Sequence, residues 1–199
     1  MATDTDQLKL VLASASPRRL ALLQQISIVP DTVIPADIDE TPQAKELAPA
    51  YVRRVAVEKA EAIASSQRGA LILAADTAVA CGRRILPKAE DEQTARSCLA
   101  LLSGRSHRVY SGIALIDEAG TLRSKVVETR VKVRRLSDAA VEAYIACEEW
   151  DGKAGGYAIQ GLFASHVISL IGSYTNVVGL PLYETDNMLT SAGFKKAGR

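Results

Sequence analysis

The stretch from Leu71 to Ala80 is almost unbroken in apolar residues, apart from Asp76 and Thr77 in its middle. A carboxylate in a buried strand costs on the order of several kcal/mol unless a cation or donor meets it. Asp76 is therefore either half of a buried ion pair (or an Asx turn at a strand end), or a metal ligand or general base at the exposed end of that strand. Lys59 breaks a second pattern. By helical angle it falls in the middle of the stripe Val52, Val55, Ala56 and Ile63. Its ammonium either snorkels to solvent along that face or is delivered into a cleft that holds an anion. A third place is Ser14-Ala15-Ser16-Pro17-Arg18-Arg19, read as a strand-to-helix turn. Such a turn aims free backbone N–H groups and the positive end of a helix dipole at one spot, and two hydroxyls and two guanidiniums there make a phosphate cradle. It has neither GxxxxGK[ST] nor GxGxxG, which disfavours P-loop and dinucleotide folds. Glu40 closes the acidic cluster Asp37-Ile38-Asp39-Glu40, which is either a solvated loop or a further source of oxygen ligands. Together these features point to metal-assisted phosphoryl chemistry. Oxygen donors without His or Cys favour magnesium or manganese over zinc.

Composition narrows the alternatives. The 199 residues suit one domain, and 48% hydrophobic with 24% charged residues is an ordinary globular balance. A formal charge of +1 with no basic run, and only 5% aromatic residues, argues against a nucleic-acid surface, which needs phosphate neutralisation and stacking platforms. Cys81, Cys98 and Cys147 are odd in number and far apart, with no metal-ligand spacing; each reads as a small buried apolar residue. His107 and His166 stand alone among apolar or small neighbours and read as structural. Acidic Asp4 and Asp6, and the early arrival of Arg18 and Arg19, argue against a signal peptide. No segment is long enough to span a membrane, so the expected location is cytoplasmic.

The elements that must position these residues follow from periodicity and punctuation. Leu8 to Ala13 reads as a buried strand, Ser16 as an N-cap and Pro17 as the first residue of a helix running to Ile26. Ile28 to Ile34 reads as a second strand, Ala36 to Lys45 as a polar loop, and Pro49 to Ser65 as an amphipathic helix. The central strand Leu71 to Ala80 is followed by a helix from Asp91 to Leu102, closed by Gly104. Arg108 to Asp117 and Leu122 to Arg134 alternate as strands around a Glu118-Ala119-Gly120 turn. Ser137 caps a helix reaching about Cys147, a glycine-rich loop covers Asp151 to Gly161, Phe163 to Ile171 reads as a strand, and Pro181 opens a last helix ending near Gly193. Interleaved helices and strands around an antiparallel hairpin predict an α/β fold with a mixed, twisted sheet and flanking helices.

Several short motifs, in order along nearly the whole chain, resemble the Maf family of septum-formation-associated nucleotide pyrophosphatases. They are Leu12-Ala13-Ser14-Ala15-Ser16-Pro17-Arg18-Arg19, Ile38-Asp39-Glu40, Val57-Glu58-Lys59-Ala60, Ala74-Ala75-Asp76-Thr77, the loop Lys153 to Gly161, and Gly172 to Pro181. The resemblance implies a single domain over 1–199 with two lobes around a central cleft, as in Maf and ITPase-like proteins. It also implies cleavage of a nucleoside triphosphate to the monophosphate and pyrophosphate. Arg18, Thr77 and Gln160 match the positions that mark dTTP/UTP enzymes; relatives acting on 7-methyl-GTP carry a tryptophan before the arginine pair, a glutamine after the aspartate and Ser-Glu in place of Ile159-Gln160. The family usually has Lys-Pro after the Asp-Thr strand. Here the order is Pro87-Lys88-Ala89, and Lys88 is aligned with the family lysine.

On this resemblance Glu40 and Asp76 hold Mg2+ or Mn2+, Lys59, Lys88 and Arg19 offset phosphate charge, and the Ser14–Ser16 turn donates hydrogen bonds. A water activated by the metal, by Asp76 or by both attacks the α-phosphorus. Arg18, Thr77 and Gln160 read the base. The expected partner is a nucleoside triphosphate such as dTTP or UTP, with no nucleic acid and no membrane, and a homodimer is one assembly that the resemblance allows. Two other readings stay open: a non-catalytic nucleotide-binding regulator of cell division, and a pyrophosphatase for modified purine or 7-methyl-GTP nucleotides.

Overall fold

The computed structural model describes residues 8–196; Asp4 and Asp6 lie outside them. Strand β1 (Leu10–Ala13) leads into helix α1 (Pro17–Gln25), then β2 (Thr32–Val33) and helix α2 (Ala48–Ala64). Strand β3 (Leu71–Cys81) continues into the short β4 (Arg84–Leu86) and β5 (Lys88–Ala89) before helix α3 (Glu92–Leu102). The long hairpin β6 (Ser106–Ile116) and β7 (Leu122–Val133) is followed by helix α4 (Asp138–Ala146) and β8 (Lys153–Ala154). A 3-10 turn (Leu162–His166), β9 (Val167–Ile171), helix α5 (Tyr174–Val178) and helix α6 (Leu182–Ser191) complete the order.

The main sheet runs β2-β1-β3-β6-β7-β9, with β4 paired to β3, while β5 and β8 form a separate two-stranded ribbon. β1 lies parallel to β2 and β3; β3–β6, β6–β7 and β7–β9 are antiparallel. This is the expected mixed α/β sheet. Alternation along β1 divides the core in two. Leu10 and Leu12 enter the larger cluster with Leu23, Leu99, Leu102 and Phe163. Val11 and Ala13 face the opposite side with Ile72, Ala74 and Ala56, so α2 covers that face.

Capping follows the residue types that begin each helix. Asp91 accepts from the Thr94 N–H at 2.6 Å and Ser137 from the Ala140 N–H at 3.3 Å. Ser16 occupies the N-cap of α1, with Pro17 as its first residue, but its hydroxyl makes no capping bond. The hairpin turn is pinned by Asp117, whose side chain accepts from the Ala119 and Thr121 N–H groups.

Two expected strands are shorter than their patterns suggested. Of Ile28 to Ile34, only Thr32–Val33 forms β2. Ser27 turns the chain at φ 60, Pro30 has no N–H to give, and the Asp31 carboxylate takes the Leu10 N–H at 2.7 Å. Of Phe163 to Ile171, the first part is the 3-10 turn, because fully buried Phe163 packs among the rings of Tyr144, Tyr157 and His166. The short β4, β5, β8 and α5 were not anticipated. Among the cysteines, Cys98 is buried and Cys81 half-buried as small core residues would be, but Cys147 is exposed at the end of α4. Both histidines are buried.

Gly112 connects this architecture to its most unusual side chain. It is the cross-strand neighbour of Asp76, and a Cβ at that position would overlap the Val52 carbonyl of α2. Glycine therefore lets α2 lie close on the sheet, two helical turns before Lys59. Gly112→Ala should lower stability by about 2 kcal/mol, the usual scale of overpacking, read as a reduced midpoint in urea denaturation. An unchanged midpoint would mean that α2 can shift outward at no cost.

Candidate active site

The cleft, of roughly 340 Å³, opens at the carboxyl end of β1 and is faced by the β5–β8 ribbon. Because β1 ends at Ala13, paired with Ala74, β3 continues past it, and Asp76 and Thr77 emerge under the turn that begins α1. All ten sequence-derived candidates line this one cleft: Ser14, Ser16, Arg18, Arg19, Glu40, Lys59, Asp76, Thr77, Lys88 and Gln160.

At its floor the charges alternate. Lys59 Nζ donates to Asp76 Oδ1 at 2.9 Å and lies 2.7 Å from Glu40 Oε1, while Lys88 Nζ lies 2.9 Å from Glu40 Oε2. Asp76 is 4% exposed and Lys59 7%. Of the two readings for Lys59, delivery into the cleft is the one observed. For Asp76 the ion pair is present, yet its other oxygen, Oδ2, is buried without a partner. Removing one member of such a buried pair typically costs about 3–5 kcal/mol, whereas the outer Lys88–Glu40 pair is partly solvated and contributes little to stability. Burial alone would raise the Glu40 carboxyl, but hydrogen bonds from Lys59 and Lys88 bring it below the usual carboxylate range.

The loop carrying Glu40 is tied to α2. Tyr51 donates its hydroxyl to the Glu40 carbonyl at 3.0 Å. Arg54 reaches the Thr41 carbonyl at 3.2 Å and both carboxylate oxygens of Glu46 at 2.8 and 2.9 Å. What reads in sequence as a solvated acidic loop is thus held in one position.

Above the floor, Arg19 is braced on three sides. Its Nε donates to the Gly179 carbonyl at 2.9 Å, and its terminal nitrogens donate to Ser14 Oγ at 3.1 Å and Thr77 Oγ1 at 3.3 Å. Each terminal nitrogen keeps one further N–H. Burial pulls the guanidinium below its ordinary range, and nearby Asp76 works against that shift. Arg18, half-buried and likewise lowered by burial, stands at the cleft wall, and Gln160 lies exposed on the loop after β8.

Several residues were not singled out from sequence. Lys153 lines the cleft and donates to the Asp151 carbonyl at 2.7 Å; burial and then the neighbouring Arg18 charge lower its ammonium. A lysine in a glycine-rich loop carries no signal that separates it from a solvated one. Tyr157 also lines the cleft, and its hydroxyl is 2.7 Å from His107 Nε2. Ser111 lies directly opposite Thr77, a placement legible only once strand register is known.

A family model described as Maf-like protein matches residues 9–192. Among curated proteins, a dTTP/UTP pyrophosphatase of Mesorhizobium japonicum (strain LMG 29417 / CECT 9101 / MAFF 303099) is 58% identical over 193 residues, covering 94% of this chain and 93% of that protein. A dTTP/UTP pyrophosphatase of Paramagnetospirillum magneticum (strain ATCC 700264 / AMB-1) is 60% identical over 185 residues, covering 93% and 97%. Among solved structures, a nucleoside-triphosphatase / dITP/XTP pyrophosphatase from Mycobacterium abscessus aligns over 94% of this chain and 95% of its own, at 18% identity and a TM-score of 0.49.

The His107–Tyr157 contact beneath the cleft has a consequence for pH. Burial pushes His107 down to about 4, whereas an unfolded histidine protonates near about 6.5. Between those values the unfolded chain binds the extra proton, so stability falls as pH drops through that window. Burial also lowers His166, in the same direction. Thermal melts across the window should therefore show declining midpoints, with a shallower decline in His107→Gln. An equally steep decline in that variant would show that His107 does not stay neutral in the folded protein.

Proposed function

The chain belongs to the Maf family, and from that premise and the chemistry of the cleft we propose that it hydrolyses dTTP and UTP to the nucleoside monophosphate and pyrophosphate in the cytoplasm. The observation that carries the reading is the Asp76–Lys59–Glu40–Lys88 series at the floor of a cleft whose wall is a helix N-terminus with two arginines. The names of the relatives supply the base. Among the described residues no helix is long and apolar enough to cross a membrane.

Asp76 and Glu40 fit a divalent cation such as Mg2+ or Mn2+. Both offer carboxylate oxygens, and Asp76 Oδ2 is buried without a partner. Among the described residues there is no cluster of three or more His, Cys, Asp or Glu, so phosphate and water would complete the shell, as is usual for Mg2+. When bound, the ion would offset phosphate charge and acidify a water.

The protein's own groups do the rest. Lys59 and Lys88, whose partners in the free protein are carboxylates, exchange part of that pairing for phosphate oxygens. Arg19 presents its two remaining N–H groups to the same anion, and the Ser14–Ser16 turn adds the start of α1. Asp76 accepts a hydrogen bond from the attacking water and takes its proton as the water oxygen bonds to the α-phosphorus; the bond from that phosphorus to pyrophosphate breaks, and pyrophosphate leaves with the electron pair. These are positioning and electrostatic effects, the main resources for phosphoryl transfer. Arg18, Thr77 and Gln160 set base selectivity, since polar groups left unpaired by the wrong base penalise it strongly.

The test is a panel of dTTP, UTP, CTP, ATP, GTP and 7-methyl-GTP with and without Mg2+ or Mn2+, resolving pyrophosphate from orthophosphate. Metal-dependent pyrophosphate release from dTTP and UTP is expected, reduced about a hundredfold or more in Asp76→Ala. Turnover confined to a purine would overturn the selectivity assignment, and binding without turnover would favour a regulatory protein.

A further inference from the structure

Gln160 is exposed and faces the cleft, while Tyr157 and Ile159 on the same loop are buried in the larger core cluster. An exposed glutamine is rich in rotamers, so the direction of its amide depends on how firmly the backbone beneath it is held. Two backbone N–H groups bracket it. The Ala158 N–H donates to the Tyr144 hydroxyl at 3.0 Å, and the Leu162 N–H donates to Glu149 Oε2 at 2.7 Å. Both acceptors come from one place, the end of α4 and the turn that follows it.

That turn aims Glu149 at the loop. Glu148 takes φ 55, in the left-handed region that a residue with a side chain enters only at a cost, and such strain clusters at functional sites. The Glu148 N–H returns to the Ile145 carbonyl at 3.2 Å, and Trp150 Nε1 donates to the same carbonyl at 2.9 Å. On the loop side Gly161 supplies the room, because a Cβ there would overlap the Glu149 carboxylate. The bond that results is charge-assisted, the stronger kind. Tyr144 is held as firmly. It is buried, and its ring meets that of Phe163 edge-on at 5.2 Å.

We infer that Tyr144 and Glu149 are positioning residues for base recognition, fixing the backbone on either side of Gln160 so that its amide meets the pyrimidine edge in one orientation. Neither lines the cleft, so both act through Gln160 and not on the substrate. This rests on the pyrophosphatase reading above, with Gln160 as a base reader, and it places two determinants of selectivity outside the cleft.

The experiment measures kcat and KM for the full-length wild type, Gln160→Ala, Tyr144→Phe, Glu149→Ala and Glu149→Gln on dTTP and CTP, with thermal melts to verify folding. Wild-type turnover of dTTP comes first, because its absence would sink the pyrophosphatase reading itself. A Gln160→Ala variant with the wild-type dTTP-to-CTP ratio of kcat/KM would sink the base-reading role of Gln160, and this proposal with it. Given both results, Glu149→Ala and Tyr144→Phe should each raise KM for dTTP by about five- to tenfold, the scale of one lost hydrogen bond, with kcat near the wild-type value. Each should also move the dTTP-to-CTP ratio toward that of Gln160→Ala. Glu149→Gln keeps an acceptor for the Leu162 N–H and should recover most of the loss. Adding Glu149→Ala to Gln160→Ala should change the ratio little further. A folded Glu149→Ala with the wild-type ratio would overturn the proposal, leaving the contact a role in stability alone. Tyr144→Phe, which loses only a hydroxyl, decides the matter by the same criterion if Glu149→Ala does not fold.

Discussion

A carboxylate in the middle of an apolar strand cannot be left alone, and the pairing of Asp76 with Lys59 is the constraint around which the rest of the molecule is arranged. Lys59 reaches Asp76 only because α2 lies close on the sheet, and Gly112 opposite Asp76 makes that approach possible. The same helix carries Tyr51 and Arg54, which hold the loop that brings Glu40 to the other side of Lys59. One helix thus sets two of the four charges at the cleft floor, Lys59 and Glu40. The arrangement is costly to build at its inner end, where Lys59 and Asp76 meet in low-dielectric surroundings, while Lys88 at the outer end stays partly solvated.

The opposite requirement, free donors, is met at the end of the parallel part of the sheet. β1 stops where β3 continues, which leaves room for the α1 turn above Asp76 and Thr77. In open α/β sheets the crevice beyond the carboxyl ends of parallel strands is the usual place for a ligand. Arg19 spans this gap and joins the α1 turn, β3 and the end of α5. The far wall is the β5–β8 ribbon, whose pairing of Lys88 with Ala154 couples that lysine to the loop that carries Gln160.

Much of this was legible in the sequence because the informative residues violate their surroundings. Asp76 interrupts an apolar run, Lys59 interrupts an apolar stripe, and Pro17 after Ser16 marks the start of a helix, so each could be placed before any coordinates. The strand and helix limits of β3, α2, α3 and the β6–β7 hairpin likewise follow from periodicity. Where the expectation failed, tertiary packing prevailed over pattern. An aromatic cluster around Phe163 folds the first half of an apparent strand into a 3-10 turn, and the Asp31 side chain takes a backbone donor that β2 would have used. Two-residue strands such as β5 and β8 have no period to detect. Tyr144 and Glu149 are ordinary residues of a helix and a turn in sequence, and only the packing of α4 brings them against the loop that carries Gln160.

Attack of water at the α-phosphorus, with Asp76 receiving its proton, is the step we propose for this cleft. Hydrolysis of dTTP in oxygen-18 water, followed by mass spectrometry of both products, tests it most directly. One labelled oxygen is expected in the nucleoside monophosphate and none in pyrophosphate. Label in pyrophosphate would mean attack at the β-phosphorus and would rule out that step.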